Sequence, residues 1–259
     1  MNRLELNKWY FKSYEDFDNS VKKAIITSKS VAGILETPRR AYATVLFTRI
    51  TVLATSLLKL APKELSPHEH YDFASIASIA RNILECYLFM YYFSVEEISD
   101  DEWQARLFLT QLHDCISRIE LFQTLEKIEQ KPNNDIFEFR EQANEIKKNL
   151  LKNNFFNTFT EKQKTDFFKG KKVLYCSQDS IVEKLGASVS DYRLHYQIFS
   201  RYLHTLPFSF YRSPEDLNNT GGKNDKDIGY TAMTFEYIQG VIENANKDII
   251  KMFPTSFKK

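Results

Sequence analysis

Only seven glycines and seven prolines occur in 259 residues, and this scarcity constrains the fold more than any other feature. The usual glycine share is about 7%, more than twice what this chain carries. A β-sandwich or a glycine-rich nucleotide fold needs many tight turns, and glycine and proline are the residues that make them. A chain so poor in both is directed towards long helices. No alternating strand pattern and no internal repeat is present.

The breakers that do occur sit beside helix start and stop signals. A first helix is predicted from about residue 14 to 35. Thr37 followed by Pro38 is an N-cap with proline at the first helical position, opening a helix that stops before Pro62. Ser66, Pro67 and Glu69 form a capping box ahead of a third helix reaching about residue 93, and Ser94 with Glu97 repeats the pattern. The acids 96, 97, 100, 101 and 102 favour the positive end of the fourth helix, which runs to about residue 129. Further helices are predicted at 136–152, from Thr160 to Gly170, at 178–185, from Ser188 or Ser190 to about 205, and at 230–252. One long loop, about 212–229, carries most of the remaining turn residues. The expectation is an all-α fold, a single-domain antiparallel helical bundle of about seven to nine helices over residues 1–259.

Charge and cysteine usage narrow the function. With 35 Lys and Arg against 34 Asp and Glu, the chain is neither a basic nucleic-acid coat nor an acidic tail. Cys86, Cys115 and Cys176 are odd in number and lack a CxxC, so a disulfide framework or cysteine zinc site is not expected. The charged N-terminus has no apolar signal region, and the apolar stretches 41–59 and 73–93 carry Arg49, and Arg81 with Glu85, at their centres. These features predict a cytoplasmic protein without a membrane segment. No Walker loop, G-x-S-x-G or G-x-G-x-x-G is present, so P-loop, α/β-hydrolase and Rossmann chemistry have no support.

Candidate site residues are the polar groups inside otherwise apolar helices. At 100° per residue, Phe73, Ile76, Ile79, Ile83, Leu84, Tyr87 and Tyr91 cover one wide face, and Arg81 and Glu85 lie opposite among small residues. A second packed face would make Arg81 and Glu85 a structural ion pair or the rim of a site. On the helix that ends near 205, Arg193, Gln197, Ser200 and His204 form a stripe free of lysine and glutamate, bordered by Arg201 and flanked by Tyr196. That stripe is predicted to meet the Arg81–Glu85 face, because separate burial would leave unpaired polar groups at about 1–3 kcal/mol each.

Arg106 and His113 are seven apart and align on their helix. This R-x6-H pattern resembles the motif of HEPN ribonucleases, all-helical proteins in which an arginine grips the RNA phosphate and a histidine moves a proton. Leu107 stands where that family usually has a polar residue. His113-Asp114 also spells the dipeptide of helical metal phosphohydrolases, for which His70 and Asp191 would be the further ligands, but Cys115-Ile116-Ser117 departs from that pattern. Residues 147–172 carry eight lysines interleaved with Phe155, Phe156, Phe159, Phe167 and Phe168. Lysines and exposed aromatics would suit RNA, whereas inward phenylalanines with snorkelling lysines would make an amphipathic helix pair.

Two stretches carry a broader resemblance. Residues 75–93, SIASIARNILECYLFMYYF, resemble the "R-s-i-l-E" helix of an uncharacterised bacterial all-helical family of unknown function. Residues 196–209, YQIFSRYLHTLPFS, are similar to its "Y-x-x-x-S-x-Y-x-H" segment, and the resemblance extends over most of 35–210. It implies a compact bundle in which Arg81, Glu85, Tyr196, Ser200 and His204 converge, and an association with HEPN-like and abortive-infection phage-defence proteins. The functional expectation is a HEPN-like ribonuclease toxin or defence effector, metal-independent and without a cofactor, acting on RNA as a homodimer. His204, His113 and Arg106 are its catalytic candidates, and Arg81, Glu85, Arg193, Tyr196, Ser200 and Arg201 its substrate-binding candidates. The alternative is a non-catalytic helical module that binds and regulates an operon-encoded protein partner or a nucleotide. Far-UV circular dichroism is expected to show mostly helix; a spectrum that requires a substantial sheet component would refute the fold.

Overall fold

The structure is a computed structural model that describes residues 1–34, 36–204, 206–209, 211 and 221–257. Among these residues it is all-α, with nine α-helices and no strand. The helices are α1 (Arg3–Val31), α2 (Pro38–Leu60), α3 (Phe73–Met90), α4 (Asp100–Glu129), α5 (Asp135–Lys152), α6 (Glu161–Phe168), α7 (Gln178–Lys184), α8 (Val189–Leu203) and α9 (Asp225–Met252). They divide into two compact units: Met1–Val95 with Gln178–Lys259, and Glu96–Ser177.

Side-chain caps decide where the helices begin. Thr37 caps α2 with Pro38 at its first position, Thr160 forms a capping box with Gln163 on α6, and Ser188 caps α8, all as the sequence predicts. Four starts differ. Helix α1 begins at Arg3 rather than near 14, because Asn2 and Glu5 make a reciprocal capping box at the N-terminus. The Ser66 box does not open a helix: its hydroxyl holds the His68 N–H within a turn, and α3 starts under Asp72 instead. Ser94 lies in a π-helical turn, Tyr91–Val95, that extends α3, and Ser99 caps α4 by accepting from Glu102 N–H. Helix α9 starts at Asp225, inside the predicted loop, because Asn224 accepts from Asp227 N–H and two acids occupy the first turn. Of that loop, 212–220 lie outside the described residues.

In the first unit, α2 packs antiparallel to α3, and α3 antiparallel to the α7–α8 segment. Cys86 lies by Leu46 and Tyr42 by Phe93 where α2 meets α3, and Phe73 lies by Tyr202 and Tyr91 by Lys184 where α3 meets the α7–α8 segment. The terminal helices break this alternation. Trp9 and Ser13 donate to Glu236, and Ser20 to Glu243, so α1 and α9 run parallel along their longest seam. Phe17, Phe47, Ile83, Phe199, Phe235 and Ile238 fill the centre and are fully buried. Helices α2 and α3, the latter with its π turn, are long and apolar enough to cross a membrane, and 39% and 56% of their most apolar windows are buried within the protein.

The second unit is built on α4 against α5, antiparallel, since Cys115 lies by Gln142 and Phe122 stacks on Phe139. Leu109, Leu112, Ala143, Leu150, Phe156 and Phe167 form its core. The phenylalanines of the lysine-rich segment face this interior, and Lys148, Lys152, Lys162, Lys169, Lys171 and Lys172 are exposed. The aromatic rings therefore build a core rather than a stacking platform for RNA.

Gly170 ends α6 in the left-handed region, with φ at 67°, and is buried against α4. A Cβ there would lie 2.4 Å from Ile116 Cγ1. Gly170→Ala is expected to destabilise by about 2–5 kcal/mol, joining a left-handed backbone cost of about 1–2 to an overpacking cost of about 1–3. Gly186→Ala, at φ 70° in open space, incurs only the backbone part. Equilibrium urea melts of both variants compare them; equal shifts would remove the packing contribution.

Candidate functional site

Helix α3 is covered on more than one side, by α2, α8 and α9. Where α8 packs on α3, Arg81 and Glu85 meet Tyr196 while Glu85 stays partly exposed. Arg81 Nε and Nη2 each donate to Glu85 Oε1 at 3.1 Å. Nη2 also donates to the Tyr196 hydroxyl at 2.8 Å, and that hydroxyl donates to the same Glu85 oxygen at 3.0 Å. The guanidinium carbon lies 4.7 Å from the Tyr196 ring centroid, adding a cation–π contact. Burial first, and the Glu85 carboxylate second, raise the Tyr196 pKa, so the phenol keeps its proton.

His204 completes the cluster from the C-terminal cap of α8, where its N–H returns to Ser200 carbonyl at 3.1 Å. Its Nε2 lies 3.1 Å from Arg81 Nη1. A guanidinium has no acceptor, so this contact is a hydrogen bond in the tautomer that leaves Nε2 unprotonated. Arg81 is 16% exposed in its side chain, and the His204 residue is exposed. The cluster is thus a polar rim, open on the histidine side. The predicted meeting of the two helices is present in Arg81, Glu85, Tyr196 and His204. Ser200 lies one turn before His204 on the same face, but its hydroxyl donates to its own helix, at the Tyr196 carbonyl.

Three nominated arginines and one histidine are elsewhere. Arg193 does not join: it precedes His204 by 11 residues, roughly 16 Å along a helix, and Asp179 of α7 captures it at 2.5 Å. Arg201 lies with its guanidinium carbon 4.8 Å from the Phe208 ring centroid. Arg106 is 0% exposed, held by Glu96 at 2.7 Å, by Glu102, and by the Tyr175 hydroxyl at 2.8 Å. It is sealed from any phosphate, and His113, two turns along α4, is only half-buried. The R-x6-H spacing therefore aligns two residues whose environments are opposite. Asp114, the partner of His113 in the metal dipeptide, pairs with Arg118, and among the described residues no three His, Cys, Asp or Glu side chains are grouped to hold a metal ion.

Sequence reasoning missed the environment of Arg106. Glu102 lies one turn before it and offered a local signal, i and i+4, whereas Tyr175 comes from 69 residues away and offered none. The Tyr175 hydroxyl donates to Glu102 at 2.5 Å, and its ring centroid lies 5.2 Å from the guanidinium carbon. Each unit thus contains an arginine, a glutamate one helical turn away, and a distant tyrosine bonded to both. The copies differ in their fourth member: Glu96 inside one, His204 at the rim of the other.

A family of unknown function, DUF5677, matches residues 40–223, which span both clusters. No curated protein and no solved structure matches the chain.

The two clusters differ in exposure, and their variants are expected to differ in stability. Arg106→Ala removes the fully buried charge that two mostly buried carboxylates share and is expected to cost about 3–5 kcal/mol. Glu85→Ala removes hydrogen bonds to a partly exposed guanidinium and is expected to cost about 1.5–3 kcal/mol. Thermal and urea melts report both; a negligible shift for Glu85→Ala would make the cluster ordinary surface.

Proposed function

The chain belongs to the DUF5677 family, whose function is unknown, and we propose that it is a HEPN-like effector that cleaves RNA without a metal, at the Arg81–Glu85–Tyr196–His204 cluster. One observation carries the proposal: an exposed histidine whose Nε2 lies 3.1 Å from a guanidinium that a carboxylate and a phenol hold in place. The unprotonated Nε2 is a general base for a ribose 2′-hydroxyl. The 2′-oxygen forms its bond to phosphorus, the bond from phosphorus to the 5′-oxygen breaks, and the departing oxygen takes a proton from water. Arg81 supplies positive charge to the phosphorane oxygens by turning its Nη1 from the imidazole to the phosphate. Glu85 and Tyr196 position Arg81 and do not touch the reacting atoms. Arginine and histidine come from two helices of one chain, so this site needs no second copy to be complete.

A specific observation favours the other reading, a non-catalytic module. Glu85 neutralises Arg81, and in the equivalent assembly Arg106 is fully buried. A network of this kind ties helices together whether or not a histidine stands beside it. The purified protein, with chelator present, is expected to cleave single-stranded RNA. His204→Ala is expected to reduce the rate by about 10²–10⁴ while the melting curve stays in place. Growth arrest on induction should be lost in the same variant. Uncleaved RNA with the intact protein, or equal cleavage by the folded variant, would reject the ribonuclease and leave the cluster as structural packing.

A further inference from the structure

A cleft of about 510 Å³ lies among α3, α7, α8 and α9, apart from the guanidinium cluster. Its size suits a small organic molecule. Tyr87, Tyr91, Tyr192 and Tyr237 contribute to its walls, with Leu84 and Leu88 between them. Three of the four phenols are committed as donors to the protein itself. Tyr87 donates to Asp248 at 3.0 Å, Tyr91 to the Lys184 carbonyl at 3.2 Å, and Tyr192 to Gln178 at 2.7 Å. The fourth ring, Tyr237, is stacked on buried His195, with centroids 3.7 Å apart and planes within 4°. The three bonded tyrosines therefore offer a ligand mainly aromatic carbon held in position. On α9 a Cβ at Gly240 would meet nothing within 4 Å, so the cleft is open there.

Among the carboxylates on the lining, Asp248 is the one bonded to a tyrosine of this wall. It accepts one hydrogen bond, from Tyr87, and has no ion-pair partner among the described residues. Burial raises its pKa, although the Tyr87 bond and the positive charges of Lys251 and Lys247 act against the shift. A carboxylate in this position has unused lone pairs and a desolvation cost that the Tyr87 bond and the two lysines offset only in part. Asp191 and Glu236 also border the cleft, against Lys184 and Lys247, so carboxylates outnumber ammonium groups on the lining. That balance disfavours an anion. A primary ammonium group would supply both the missing charge and the N–H donors, and aromatic carbon attracts it through the ring quadrupole.

We propose that this cleft binds a small primary amine with an aromatic body, its ammonium group on the Asp248 carboxylate and its apolar body among the tyrosines. The proposal is independent of RNA cleavage, because Asp248 and the cleft take no part in it. The test titrates the full chain with three probes of similar size: 2-phenylethylamine, neutral 2-phenylethanol and anionic 3-phenylpropanoate. Ligand-observed NMR or calorimetry should give the amine a Kd on the order of 1 mM or tighter, about tenfold below either analogue. Asp248→Asn keeps the shape and an acceptor for Tyr87, and it should abolish the preference for the amine. Gly240→Leu fills the open wall and should abolish binding of all three probes, with melting curves verifying that both variants fold. Equal binding of the three probes, an amine preference that survives Asp248→Asn, or no binding of the amine by the folded wild-type chain would each overturn the proposal.

Discussion

A guanidinium removed from water has to be answered by charge and by acceptors, and this chain answers it twice in the same way. Arg81 and Arg106 each lie within an apolar helical unit. Each takes a glutamate one turn away on its own helix, and each takes the hydroxyl of a tyrosine distant in sequence that bonds to the glutamate as well. The carboxylate offsets the charge, the phenol occupies a remaining donor, and the ring covers the guanidinium plane. Desolvation of an arginine alone would be prohibitive, so helix packing around these two positions depends on the triads being complete.

The duplicate is informative because its two copies have different surroundings. In the Glu96–Ser177 unit the fourth partner is a second carboxylate, Glu96, and the arginine is fully buried. There the guanidinium itself is out of reach of a ligand. In the other unit the fourth partner is His204, at an exposed helix end. The internal copy shows the triad as packing, and the copy at the rim adds an exposed histidine to it.

The helices themselves were legible because their signals are local. Thr37-Pro38, Thr160 with Gln163, and Ser188 each set a start through bonds spanning three residues. Local signals also misled where two competed. Ser66 and Asp72 both precede the apolar run of α3, and the cap nearest the packed residues prevailed. Asn224 prevailed over the glycines around it, because the first turns of α9 bury Asp227, Ile228 and Thr231 and tertiary contacts pull the helix back to its cap. The phenylalanines of the lysine-rich segment followed the ordinary rule that apolar rings go inside.

The sequence by itself determined the all-α class, most helix limits, and the pairing of Arg81 with Glu85, since an i to i+4 relation needs only helical periodicity. It also placed Ser200 and His204 on one stripe of their helix, with Tyr196 beside it. Only the tertiary structure decided which polar residues meet. Arg193 and His204 share a stripe, yet Asp179 takes one and Arg81 the other. Arg106 and His113 share a helix face, yet Glu96 and Tyr175 seal the first. The parallel seam of α1 with α9, and the cleft that α9 forms with Tyr87 and Asp248, join segments more than 150 residues apart. The physical reason is one of range: backbone geometry fixes neighbours within a turn or two, whereas the facing of one helix by another follows from filling a core, which no short stretch encodes.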